Sequence, residues 1–169
     1  MFLYKIRYMK KLILIIFTLL SLSLNAYSQK SQDVTLRVIL RPIQSIIVNQ
    51  NDVLLEYKTL YDYKKGVSKT MVNHLTVYST VGYSINVKGN DLIANNSKII
   101  KNTDISINQE GSSSINLELN NKTLLTSDYT TGTNYNITYS AEGNNKYFTT
   151  EYVKSQTYYT TVTYTITPN

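Results

Sequence analysis

HLTVYSTVGYSINVKG, His74 to Gly89, places an apolar or aromatic side chain at nearly every odd position: Leu75, Val77, Val81, Tyr83, Ile85 and Val87. A period of two is the pattern of strand with one buried face. At about 3.3 Å per residue the whole stretch, left straight, would far exceed the usual five or six residues, so the chain has to turn or bend within it. A two-residue loop at Val81-Gly82 pairs Val77 with Asn86 and Tyr78 with Ile85, which mixes polar and apolar side chains on each face. A three-residue loop, Thr80-Val81-Gly82, pairs Ser79 with Tyr83, Val77 with Ile85 and Leu75 with Val87. It also offers glycine at the left-handed position of a G1 bulge. The spacing therefore predicts a hairpin with one face in a core; a bulge at Gly82 in a single bent strand is the alternative.

Alternation continues on both sides of this stretch. In DVTLRVIL (33–40), Val34, Leu36, Val38 and Leu40 share one side until Pro42 interrupts the ladder. QSIIVN (44–49) and VLLEY (53–57) follow, separated by the turn-prone NQND, and LYDYKKGVSKTMVN (60–73) reads as a polar connection around Gly66. DISIN, SINLEL, YNITYS and KYFTTEYV are further candidate strands, divided by clusters of Gly, Ser and Asn. In YYTTVTYTIT (158–167), Thr160, Val162, Tyr164 and Ile166 face one way and Tyr159, Thr161, Thr163 and Thr165 the other. Many short strands with no helical period after Leu24 predict an all-β fold of two packed antiparallel sheets, read as one immunoglobulin-like β-sandwich. A Greek-key barrel is its near neighbour. A small outer-membrane β-barrel also alternates, but Lys, Thr, Ser and Asn stand on the outward faces where lipid demands an apolar band.

Met9-Lys10-Lys11 precedes an apolar run of thirteen residues, Leu12 to Leu24, and then NAYS, with Ala26 and Ser28 at the positions a signal peptidase reads. The run is shorter than the roughly 20 residues a membrane-spanning helix needs. The pattern predicts a signal-peptide helix in residues 1–28, opened by Met9 and cleaved after Ser28, and a β-sandwich domain in residues 29–169. The mature protein is then expected in the periplasm or at the cell surface, without a stable membrane anchor. Four of the 17 basic residues and none of the 11 acidic ones precede Ser28, so the formal charge of +6 falls to +2 beyond it. That small, scattered charge argues against a nucleic-acid partner. Cysteine is absent, which excludes disulfides, thiol chemistry and a lipid-modified amino-terminal cysteine.

Chemistry-bearing patterns are sparse. His74 is the one histidine, too few for a multi-histidine metal site, and its place at the start of a strand reads as a surface or interface position. Asp52, Asp62, Asp91, Asp104 and Asp128 are spaced as solvated turn residues, without the spacing of a calcium loop. No enzyme activity, cofactor or metal is expected.

DYKKGV (62–67), HLTVYSTVGYSINVKG (74–89) and YTTVTYTIT (159–167) resemble segments of small exported β-sandwich surface proteins of Gram-negative bacteria, distantly similar to fimbrial-subunit-like and WxL-type modules. The chain departs from these families in having neither cysteine nor tryptophan, so it holds no W-x-L motif. The resemblance implies export and fold more than a particular assembly.

Two functions follow as expectations. A structural or adhesive surface protein would contact copies of itself or other surface proteins, through strand addition with DVTLRVIL as the donor. A carbohydrate-binding accessory module would use exposed tyrosines, of which 13 of 16 lie beyond Ser28. Tyr152, Tyr158 and Tyr159 are the candidate binding residues.

Overall fold

The computed structural model describes residues 2–22, 31–94, 98–152 and 156–169. The chain divides into two compact units, Met1–Ile39 and Leu40–Asn169. In the first unit, α1 (Phe2–Leu22) is a helix whose described side chains, Ile6 to Leu19, are all exposed. No helix among the described residues is long and apolar enough to cross a membrane. The expected cleavage after Ser28 lies outside the described residues.

The second unit is all-β, with eight antiparallel strands in two sheets among the described residues. β1 (Gln44–Val48), β2 (Val67–Ser79), β7 (Thr130–Ala141), β4 (Ile105–Gln109) and β5 (Ile115–Asn116) lie side by side in that order in one sheet. The other has β3 (Tyr83–Gly89) between β6 (Lys122–Ser127) and β8 (Val162–Pro168). Neither sheet closes on itself among the described residues. One apolar cluster takes side chains from both sheets: Leu75 and Val77 of β2, Ile107 of β4 and Ile137 of β7 from the first, and Tyr83, Ile85 and Val87 of β3 from the second. The inward face read from the opening stretch is therefore correct.

The hairpin is not. Ser79, Val77 and Leu75 are opposite Gln44, Ile46 and Val48 of β1, whereas Ile85 and Val87 are opposite Ile166 and Tyr164 of β8. Thr80 to Gly82 carry the chain from one sheet to the other. Thr80 donates its N–H to the Ile43 carbonyl at 3.0 Å, and the Ser79 hydroxyl donates to the Val81 carbonyl at 2.6 Å. Gly82 is not among the residues with positive φ, so the expected G1 bulge is absent. A hairpin and a crossing between sheets bury the same alternate residues. They differ only in whether those residues stand beside one another or face one another, which periodicity does not encode.

Other strand assignments also change. DVTLRVIL, VLLEY and KYFTTEYV form no ladder among the described residues, and only Ile115–Asn116 of SINLEL does. KTLLTS, not anticipated as a strand, is β6. The polar connection contains α2 (Leu60–Lys65), a short helix that opens with a capping box. Asp62 N–H donates to Thr59 Oγ1 at 3.2 Å, and Thr59 N–H donates to Asp62 Oδ2 at 2.7 Å. Backbone donation from Thr59 and Lys58 lowers the Asp62 carboxyl pKa. Gly66 then ends the helix at φ 85°, where an added Cβ would lie 2.4 Å from the Ala141 carbonyl oxygen.

Candidate functional site

The three nominated tyrosines do not form one platform. Tyr152 is only 9% exposed, a correction to its expected surface position, and its ring meets those of Tyr147 at 5.2 Å and Tyr158 at 6.3 Å, both edge to face. Tyr158 is half-buried. Tyr159 is 68% exposed, and its backbone exchanges two hydrogen bonds with Ile93, at 2.9 and 3.0 Å. The turns of KYFTTEYV bury Tyr147 and Tyr152 at the core margin, where Tyr57 packs against both Tyr63 and Tyr147, and leave Phe148 52% exposed. Beneath them the buried Asp104 carboxylate accepts from Lys146 Nζ at 2.6 Å and from the Tyr147 hydroxyl at 3.0 Å. Lys146 also reaches Glu142 at 2.7 Å. This is a satisfied charge that ties Asp104 to the turn after β7, a structural arrangement and not a free site.

A more unusual geometry lies at the margin shared by β1, the chain after it, and β8. β1 runs close to β8 although the two strands belong to different sheets. β8 pairs with β3 along one side and has no strand on its other side among the described residues. Its inward residues, Val162, Tyr164 and Ile166, pack on the core but are only partly buried, in contrast to the fully buried Tyr83, Ile85 and Val87 of β3. Ile46, Val53, Leu55 and Tyr57 are partly buried in the same way. Val53–Tyr57 alternates inward and outward as a strand would, yet no backbone hydrogen bond joins it to another described residue. The core is thus closed at β2 and β3 and incompletely covered towards this margin.

The chain also displays an unpaired apolar segment. Residues 31–42 lie outside any ladder among the described residues; Val34 is 89% exposed, Leu36 86%, Val38 73% and Leu40 89%. Four large apolar side chains alternating in the open are uncommon, because exposed apolar area and unpaired strand backbone both favour association.

His74, read from the sequence as a surface or interface position, is buried. Between Met71 and Leu75 of β2 three residues stand opposite the single residue Asn136 of β7, and Asn73 takes φ 51° in this bulge. Asn136 Oδ1 accepts from the Asn73 N–H at 2.7 Å. The bulge breaks the alternation, so His74 and Leu75, adjacent in sequence, are both buried. The signal available in advance was Asn73, a residue type that tolerates the left-handed region. Among the described residues no group of three or more His, Cys, Asp or Glu is arranged to hold a metal ion.

The chain matches no protein-family model and no curated protein.

Proposed function

We propose that this chain is an exported, non-catalytic surface protein, structural or adhesive, whose single immunoglobulin-like β-sandwich joins copies of itself or other surface proteins by strand addition. Residues 33–40 are the donor and the free edge of β8 is the acceptor. The observation that carries this reading is a complementary pair among the described residues: an exposed, alternating apolar segment with no ladder, and a strand edge with no neighbour whose inward side chains are half-covered. A docked strand would satisfy backbone N–H and C=O groups along β8 while moving Val34, Leu36, Val38 and Leu40 out of water. Full burial of one such side chain is worth roughly 1.5–3 kcal/mol. The lengths match, since eight donor residues span about 26 Å when extended and β8 has seven residues.

Export rests on the basic, apolar and small-residue succession of the leader, and it places the mature protein in the periplasm or at the cell surface. Two open sheets weigh against a small membrane barrel. The glycan-binding alternative loses support because Tyr152, Tyr158 and Tyr159 share no exposed face.

Deleting residues 29–41 tests the proposal. The shortened protein is expected to be exported and folded but to sediment as a monomer where the full protein assembles. A truncated protein that forms the same oligomer would reject strand addition, and cell fractionation that leaves the full-length chain in the inner membrane would reject export.

A further inference from the structure

The His74 side chain, 1% exposed, is part of a line of hydrogen bonds that runs from one sheet to the other. Its Nδ1 lies 2.9 Å from Oε1 of Gln50, its Nε2 lies 2.8 Å from the Tyr139 hydroxyl, and that hydroxyl lies 2.6 Å from the hydroxyl of Tyr164. The donors can be ordered from one end. An amide oxygen only accepts, so Nδ1 carries the imidazole proton and donates to Gln50; Nε2 is then an acceptor for Tyr139, and the Tyr139 oxygen accepts from Tyr164. Tyr139 belongs to β7 and Tyr164 to β8. Among the described residues this is the one side-chain hydrogen bond from β8 to the five-stranded sheet.

We propose that this line is an acid-sensitive clasp between the two sheets, which holds β8 in place while His74 is neutral and loosens it when His74 takes up a proton. The groups facing the imidazole are Gln50 from the chain after β1, Tyr139 from β7 and Tyr164 from β8, and none of them is a carboxylate or a cation. Burial alone pulls the His74 pKa below its ordinary value, with no neighbouring charge to offset a buried imidazolium. Protonation also reverses the line. Nε2 becomes a donor, Tyr139 has to turn its proton towards Tyr164, and the Tyr164 proton has to leave the line for another acceptor. β8 meets this cost first, because it is an edge strand with a half-covered face.

The sign follows from linkage. The unfolded chain binds the proton more readily than the fold does, so the stabilisation is complete above the ordinary histidine value of about 6.5 and is lost as pH falls below it. If β8 is the acceptor edge, acid regulates docking there; that consequence rests on the function proposed above, whereas the clasp itself does not.

The test is amide hydrogen exchange on the full chain at pH 7.5 and pH 5.5, corrected for intrinsic exchange rates, with an NMR titration of the His74 ring. His74 should titrate below 6.5, and β8 amides should lose at least threefold more protection than β7 amides on acidification. In Tyr164→Phe, β8 protection should already be reduced at pH 7.5 and should not change further. His74→Gln, which cannot charge, should abolish the pH difference; if it fails to fold, Tyr164→Phe carries the test. Equal loss in β7 and β8, no loss in either, or a wild-type response in Tyr164→Phe would overturn the clasp. Light scattering on the same samples reads assembly separately. A protein that is monomeric at both pH values would overturn strand addition and leave the clasp standing.

Discussion

DVTLRVIL (33–40) and TVTYTIT (161–167) have the same alternation and similar β propensity, yet the structure treats them in opposite ways. The second is laddered to β3 from Val162 onward, and Val162, Tyr164 and Ile166 pack on the core. The first has no ladder among the described residues, and its apolar side chains are exposed. Alternation specifies which side chains share a face. It does not specify whether a partner for that face exists within the same chain. The contrast separates a segment that packs on the core of its own molecule from one that has no ladder among the described residues.

The comparison can be broken most sharply at Tyr164. Replacing it with Lys puts a charge where the hydroxyl now meets Tyr139, and a cost of roughly 3 kcal/mol is expected in a denaturant melt. An unchanged midpoint would mean that β8, like 33–40, contributes little to the single molecule. Next in size is the pH dependence of unfolding. The depressed His74 pKa predicts stability that falls as pH drops below about 6.5, with a slope no greater than the single-proton limit of about 1.4 kcal/mol per pH unit. Urea melts of wild type and His74→Gln across this range should differ in slope, and parallel curves would remove His74 from the account.

Thr163→Lys probes the outward face of β8, where the side chain is exposed, and less than about 1 kcal/mol is expected. Equal losses for Thr163→Lys and Tyr164→Lys would show the alternation of β8 to be misassigned. The smallest expected change in monomer stability is Leu36→Lys, within about 0.5 kcal/mol, because that side chain is 86% exposed. The same variant should lose assembly, read by analytical ultracentrifugation. A large stability loss without any assembly change would make 33–40 a packed part of its own molecule and cancel the contrast.

Where local patterning matched the fold, it did so for face and not for neighbour. VLLEY alternates correctly, with Val53, Leu55 and Tyr57 packed inward, but it has no ladder among the described residues. KTLLTS is a real strand hidden from a period-two reading by its adjacent leucines, Leu124 and Leu125, and the register against β3 shifts between Ile85 and Asn86. KYFTTEYV has strand-like composition, but Asn144 and Asn145 take φ of 52° and 56° and turn the chain, burying Tyr147 and Tyr152. Of the candidate site, the proposed donor segment was legible as an apolar alternation. The proposed acceptor edge was not, because a missing strand neighbour leaves no mark on the sequence of the strand that lacks it.

By itself the sequence determined the all-β class of the second unit and the inward residues Leu75, Val77, Tyr83, Ile85 and Val87. Those follow from the two-residue repeat of an extended chain, a property that each segment carries alone. Only the tertiary structure decided that Thr80 to Gly82 cross between sheets, that the bulge at Asn73 turns His74 inward, and that β8 has a strand on only one side among the described residues. Each of these depends on contacts between residues distant in sequence. Their free energies are set by which surfaces can be buried together, so no local pattern contains them.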